Sequence, residues 1–235
     1  PVKIWAEDGD IKEVEKAQIN ILDAYENDFG KHAPEIDIPK IRLIWKSLPS
    51  QLSKENKKFL YSAVKEGARA REYENALNWL KYADLVKKVP KISKPALPLS
   101  AYEDLMSFKI YMGDVGLLRR HSHLAYSAFL EDNRLFTEFK GALTENFVLQ
   151  SLFLQFELSP YYWAEQPHEV DFIIQKENDI YPIEVKSGKN RTTSSLDKFN
   201  AKYSQLISKS IMLHTGDYEE RDDLICMPLY MTPLL

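Results

Sequence analysis

Two apolar segments near the middle of the C-terminal half, each carrying charged residues, constrain this chain most strongly. Val170–Ile174 and Tyr181–Val185 are rich in β-branched residues and are separated by a short polar stretch, a pattern typical of two strands joined by a turn. Strands of this composition are normally buried, so an ionised side chain within one needs a partner. Glu184 and Lys186 are two residues apart and therefore lie on one face, and a hairpin would bring Asp171 close to that face. The sequence thus predicts two carboxylates and an ammonium at one edge of a sheet.

This combination of side chains is suited to a divalent metal ion. Mg²⁺ and Mn²⁺ prefer carboxylate oxygens, with water filling the remaining positions. A cation held there would polarise a phosphodiester, and a neighbouring ammonium would offset charge that builds on phosphorus. Glu145 lies in a segment with helical spacing of apolar residues and would add a carboxylate if that helix packs on the sheet. The alternative explanation for Asp171, Glu184 and Lys186 is a structural salt bridge.

The series Glu145…Asp171…Glu184-x-Lys186 resembles the PD-(D/E)xK nuclease superfamily, whose core is a helix, a hairpin, a third strand and a further helix. Four segments make the resemblance more specific: FKIYMGDVGLL, GALTENFVLQSL, YYWAEQPHEVDFII and YPIEVKSGKN. They resemble the C-terminal region of a prokaryotic AAA+-type ATPase family, and the resemblance covers nearly the whole chain. Val170 stands where the superfamily motif has proline, a residue that is not a metal ligand.

The resemblance implies an α/β fold, with a helical, winged-helix-like N-terminal part followed by a restriction-endonuclease-like domain with a mixed sheet. It implies Asp171 and Glu184 as ligands of Mg²⁺ or Mn²⁺, Glu145 as a supporting ligand and Lys186 as an electrostatic catalyst of DNA cleavage. It also places Gln205 as an accessory residue on the helix after the Glu184 strand. Because nuclease-like folds also serve in binding alone, a non-catalytic DNA-binding or protein-interaction module of the ATPase is the alternative.

Three regions follow from the same resemblance. Residues 1–37 are expected to be a helical linker from an ATPase domain that is missing from this chain, residues 38–100 a winged-helix-like domain, and residues 101–235 the nuclease-like domain. The ATPase domain of the full-length protein is therefore an expected partner. The chain itself has no G-x-x-x-x-G-K-[ST] loop, so ATP binding by that route is not expected.

Hydrophobic periodicity and turn residues predict the individual elements. The predicted helices are residues 11–29, capped by Asp8 or Asp10 and ended by Gly30; 39–48; 59–64, with Ser53 as a cap; 71–83; 141–156; and 196–208. The predicted strands after residue 160 are 161–164, 170–174, 181–186, 210–214 and one near 224–227.

Charge is unevenly distributed along the chain. The whole chain has a net charge of −4, whereas residues 38–95 contain 14 Lys or Arg and 5 Asp or Glu, which gives that segment +9. Such a segment binds DNA phosphates by releasing counterions, or it is a solvated face, or it docks the ATPase domain. The candidate phosphate contacts, including two in the loop after the second strand, are Arg69, Arg71, Lys87, Lys88, Lys189 and Arg191.

Composition excludes several classes of protein. Cys226 is the only cysteine, which rules out a disulfide scaffold and argues against a cysteine-based zinc site. No apolar run approaches the roughly 18 residues of a membrane span, and no signal peptide is visible. We therefore expect a cytoplasmic protein without a membrane partner, and the sequence leaves open both a monomer and an oligomer.

Overall fold

A computed structural model describes residues 1–54, 57–130, 137–155, 160–188 and 192–235. The chain divides into two units, one made of residues 1–87 and 110–139 and the other of residues 88–109 and 140–235. Within the described ranges, none of the helices has the length and apolar character that a membrane crossing requires.

The first unit is mainly helical. Its helices are α1 (Val2–Asp8), α2 (Ile11–His32), α3 (Ile38–Leu52), α4 (Tyr61–Val64), α5 (Ala70–Tyr82), α6 (Val115–His121) and α7 (Ser127–Leu130). Ile41, Ile44, Trp45 and Leu48 form a buried stripe at the i, i+3, i+4, i+7 spacing of a helix, which explains why α3 forms where periodicity predicts it.

Helix α2 begins where the sequence predicts but ends later. The Asp10 side chain accepts hydrogen bonds from the N–H groups of Lys12 and Glu13, so it is the N-cap. The prediction that Gly30 ends the helix is wrong, because α2 continues to His32. The ending at Ala33 has a local cause, since the residue before a proline is disfavoured in the helical conformation and Ala33 precedes a proline.

The segment before α4 also differs from the prediction. Ser53 does not cap α4 but follows the last residue of α3, and its N–H donates to the Pro49 carbonyl. The residue before α4 is Leu60, whose N–H and carbonyl are both bound by the Gln51 side chain at 3.1 and 2.9 Å. A contact nine residues away thus replaces the local cap that the sequence pattern indicated.

Arg119 fixes α6 within the first unit. Its buried guanidinium donates to Glu15 at 2.8 Å, to Gln18 at 2.9 Å and to the Leu124 carbonyl at 2.7 Å. Glu15 and Gln18 are both on α2, so a single side chain holds α6 and the turn after it against that helix.

Within the described ranges, a mixed sheet of eight strands organises the second unit. Its strands are β1 (Val86–Ile92), β2 (Glu103–Met112), β3 (Tyr161–Glu165), β4 (His168–Lys176), β5 (Asp179–Val185), β6 (Ser210–His214), β7 (Glu219–Glu220) and β8 (Leu224–Pro228), in the order β2-β1-β3-β4-β5-β6-β8-β7. β3, β4 and β5 are antiparallel neighbours, whereas β6 runs parallel to β5 and to β8. The predicted α/β fold, a helical N-terminal part followed by a mixed sheet, is confirmed.

Among its described residues, the second unit also contains most of α8 (Thr137–Gln155) and all of α9 (Ser194–Tyr203). Leu196 and Phe199 of α9 pack in one buried cluster with Trp163, Val170 and Ile173 of the sheet. The prediction that this helix extends to residue 208 is wrong, because α9 ends nine residues after it begins and a turn follows.

The predicted region boundaries after residues 37 and 100, and the winged-helix interpretation of the segment between them, stay predictions.

Candidate functional site

The register of the β4–β5 hairpin places two acids side by side. Phe172 is opposite Ile183, so the next pair of opposite residues in this antiparallel ladder is Asp171 and Glu184. Opposite residues of an antiparallel pair project from the same face of the sheet. Both carboxylates are buried, and Asp171 is fixed because its Oδ2 accepts a hydrogen bond from the Val185 N–H at 2.8 Å.

The two carboxylate oxygens of Glu184 differ in their hydrogen bonding to the described part of the chain. Its Oε1 accepts from the Lys186 ammonium at 2.7 Å, whereas its buried Oε2 has no hydrogen-bond partner among the described residues. Burial raises the pKa of Glu184, the Lys186 ammonium opposes that shift, and the charge of Glu145 adds to it. A buried carboxylate oxygen without a donor is costly unless a cation or water satisfies it.

Glu145 reaches this group from α8. It is buried, and its charge acts on both Glu184 and Lys109, so it lies within electrostatic range of both side chains. The structure therefore brings together the four residues that the sequence singles out, namely Glu145, Asp171, Glu184 and Lys186.

Lys109 and its partner Glu169 are members of the site that the sequence analysis does not single out. Lys109 lies on β2, it is 0% exposed, and its ammonium forms an ion pair with Glu169 of β4. Burial alone would lower the pKa of Lys109, but the charges of Glu169, Glu145 and Asp171 outweigh burial and raise it, so the side chain is an ammonium at neutral pH. A signal for this residue exists, because residues 107–112 form a continuous buried run in which a charged side chain needs a partner.

Tyr162 of β3 forms one wall beside this ammonium. The Lys109 Nζ lies 4.8 Å from the centre of the Tyr162 ring, within the range of a cation–π contact. Burial raises the pKa of Tyr162 to about 12, against the opposing effect of Lys109, so its phenol is neutral at physiological pH. The aromatic ring stabilises the cation without adding a negative charge.

Together these groups form the acidic cluster, which is defined as Glu145, Glu169, Asp171 and Glu184 with the two ammonium groups of Lys109 and Lys186. Four carboxylates and two ammonium ions give a formal charge of −2. The cluster therefore has an excess of two negative charges, which one divalent cation would neutralise.

The carboxylates of the acidic cluster fit Mg²⁺ only if one or two of them bind it directly. No group of three or more His, Cys, Asp or Glu side chains is arranged to hold a metal ion in the part of the chain that the structure describes. Mg²⁺ commonly takes only one or two carboxylates and completes its shell with water and substrate phosphate. The Glu184 Oε2, which receives no hydrogen bond from the described residues, lies next to the Asp171 carboxylate, and this pair fits that requirement.

The other sequence-predicted residues lie elsewhere or outside the described ranges. Gln205 is exposed in the turn beyond the end of α9, rather than on that helix as predicted. Lys189 and Arg191 lie outside the described residues. Arg69 immediately precedes α5 and Arg71 lies in its first turn, and both are exposed.

The remaining two basic candidates have local partners. Lys87 forms an ion pair with Asp84, and the Lys88 ammonium lies 4.5 Å from the centre of the Phe108 ring. An ion pair of this kind reduces the positive charge that Lys87 would offer to a phosphate.

Comparison with known proteins finds two family models. One, described as a domain of unknown function (DUF8612), matches residues 2–128, and the other, described as a domain of unknown function (DUF4143), matches residues 140–231. The second match contains Glu145, Asp171, Glu184 and Lys186, and the first contains Lys109. No curated protein and no solved structure matches the chain.

Proposed function

We propose that this chain, which belongs to the family described as DUF8612, hydrolyses phosphodiester bonds of DNA in a reaction that depends on a divalent cation. The observation that carries the proposal is the buried Glu184 Oε2, for which the described part of the chain supplies no hydrogen-bond donor; Glu184 itself lies beside Asp171 and pairs with Lys186. A hard cation at that oxygen would satisfy it and would neutralise the cluster.

Each side chain has a defined part in this proposal. Asp171 and Glu184 would hold Mg²⁺ or Mn²⁺, with Glu145 as a supporting ligand, and the cation would supply a Lewis acid and an acidified water. The Val185 N–H holds one Asp171 oxygen in place, and Lys186 holds the Glu184 Oε1. Lys186 is only partly buried, so its ammonium can also offset negative charge on a phosphate at the surface.

Plasmid DNA incubated with the protein and Mg²⁺ or Mn²⁺ tests this function. Lys186→Ala is expected to reduce the cleavage rate by about 10²–10³-fold, the usual effect of removing one group that stabilises transition-state charge. Lys202→Ala is the matched control, because Lys202 is an exposed lysine of the same unit that pairs with Glu165. Cleavage that is unchanged in Lys186→Ala, or that persists in a chelator, would refute the assignment.

The second candidate is a non-catalytic module that binds DNA or regulates an ATPase. Two observations support it. The Lys109 ammonium already lies among the carboxylates, so they have a counter-ion without a metal. Arg69 and Arg71 are exposed and could contact phosphates. For this function, binding of a DNA duplex is expected to weaken steeply with salt and to lose about one unit of log–log slope in Arg71→Ala. Binding that is indifferent to salt would exclude the electrostatic mode.

The ATPase setting is part of the proposal, and it rests on the sequence resemblance. We expect the ATPase domain of the full-length protein to bind this chain, and co-purification of the two separately expressed parts tests it. Absence of a complex at micromolar concentrations would remove docking to the ATPase as a function of the chain.

A further inference from the structure

We propose that Lys109 is a built-in cation of the acidic cluster, which stabilises the carboxylates when no metal is bound and competes with a divalent cation for them. The proposal rests on the proposed metal site and adds to it a residue that sets how tightly the cation binds.

The Lys109 ammonium lies in the acidic cluster and not at the protein surface. The Lys109 side chain is fully buried, in contrast to most lysines, which keep the ammonium in water. Its ion-pair partner Glu169 lies on β4, two residues before Asp171 on the same strand. Alternate residues of a strand project from the same face, so the two acids lie next to each other along β4.

Lys109 also acts on the carboxylates proposed to hold the metal. Its charge interacts with Glu145, Asp171 and Glu184, and the Tyr162 ring covers the ammonium at 4.8 Å. A buried ammonium and a metal ion at these oxygens repel each other, so the presence of one weakens the binding of the other.

The charge balance sets the direction of the effect. With Lys109 and Lys186 present, the cluster has a formal charge of −2, so one divalent cation makes it neutral. Removal of the Lys109 charge leaves −3, and removal of the Glu169 charge leaves −1. Removal of both returns the cluster to −2, the value of the unmodified protein.

The effect of these charges on metal binding can be measured without DNA and without catalysis. Binding of Mn²⁺ alone to the purified full chain is measured by isothermal calorimetry, for the wild type and for Lys109→Met, Glu169→Gln and the double variant. Lys109→Met is expected to bind Mn²⁺ at least about ten-fold more tightly and Glu169→Gln about ten-fold more weakly, with the double variant close to the wild type. Lys94→Met is the matched control, because the Lys94 ammonium also lies over an aromatic ring, that of Tyr102, in the same unit, and it is expected to leave the affinity unchanged.

The outcomes separate this inference from the proposed function. A purely structural role for Lys109 would make Lys109→Met weaker or equal in Mn²⁺ affinity, and that result overturns the inference even if the wild type cleaves DNA. If the wild type binds no Mn²⁺ but Lys109→Met does, the proposed function falls and the inference stands. If no protein binds Mn²⁺, both fall.

Folding of the variants is checked without metal by circular dichroism. Should Lys109→Met not fold, Glu169→Gln decides, because Glu169 is partly exposed and its conversion to glutamine preserves shape. Equal or tighter Mn²⁺ binding by folded Glu169→Gln would then overturn the inference.

Discussion

Replacement of Lys109 by methionine is expected to destabilise the metal-free protein by about 3 kcal/mol at pH 7. Methionine has a similar length and no charge, so the main loss is the cation within the acidic cluster. Removing one partner of a buried ion pair typically costs about 3–5 kcal/mol, because the other charge stays behind without compensation. We take the lower end because the Glu169 side chain is 23% exposed and regains part of its hydration.

The loss depends on pH through the carboxylates of the cluster. Once acid has protonated them they need no counter-ion, so the loss should fall to about 1 kcal/mol, the size of the cation–π contact and the packing change. Urea unfolding followed by tryptophan fluorescence at pH 7 and at successively lower pH measures both values. Lys88→Met, whose ammonium also lies over an aromatic ring but outside the cluster, should change the stability by less than about 0.5 kcal/mol. A loss below about 1 kcal/mol at pH 7, or one that stays the same on acidification, would contradict the role of Lys109 as counter-ion of the cluster.

Three further predictions concern stability. Burial raises the pKa of Glu184 in the folded protein, so its ionised form destabilises the fold above that pKa and has no effect below the unfolded value near 4.3. Glu184→Gln should therefore have a higher melting temperature than the wild type at pH 8 but not at pH 4, and an equal difference at both would contradict this. Arg119→Lys should lose about 2–4 kcal/mol in urea unfolding, since an ammonium cannot reproduce the three bonds of the buried guanidinium; wild-type stability would show that those bonds contribute little. Gly30→Ala has nothing within 4 Å of the added Cβ and should stabilise α2 by about 0.5 kcal/mol. Gly113→Ala places its Cβ 2.5 Å from the Asp84 carbonyl oxygen and should destabilise the protein by about 1–3 kcal/mol. Calorimetric melting that ranks the two variants in the opposite order would be inconsistent with the fold.

Short-range patterns predicted much of the fold. The strands β4 and β5 and the strand β6 lie where runs of β-branched residues place them, because burial on both faces requires such runs. The ends of elements were harder to predict. Gly30 lies inside a helix because an exposed glycine is tolerated there, and the chain turns only where Pro34 follows.

Part of the site was predictable because some of its contacts join residues that are close in the sequence. Asp171 and Glu184 are close because the hairpin register is local, and Lys186, which directly follows the last residue of β5, reaches Glu184 with its ammonium. Lys109 lies 60 residues from Glu169 in the chain, and their contact depends on the order of four strands in the sheet. No local pattern contains that information, although a lysine in a buried strand indicates that some acid must meet it.

Asp171 and Glu184 are proposed to hold a divalent cation. Crystals of the full chain soaked in Mn²⁺, with diffraction data collected at the manganese absorption edge, test it most directly. One anomalous peak is expected within about 2–2.5 Å of the Glu184 Oε2 and next to the Asp171 carboxylate, and this peak should be lost in Glu184→Gln crystals. Soaked crystals that show manganese elsewhere, but none at these two carboxylates, would contradict it.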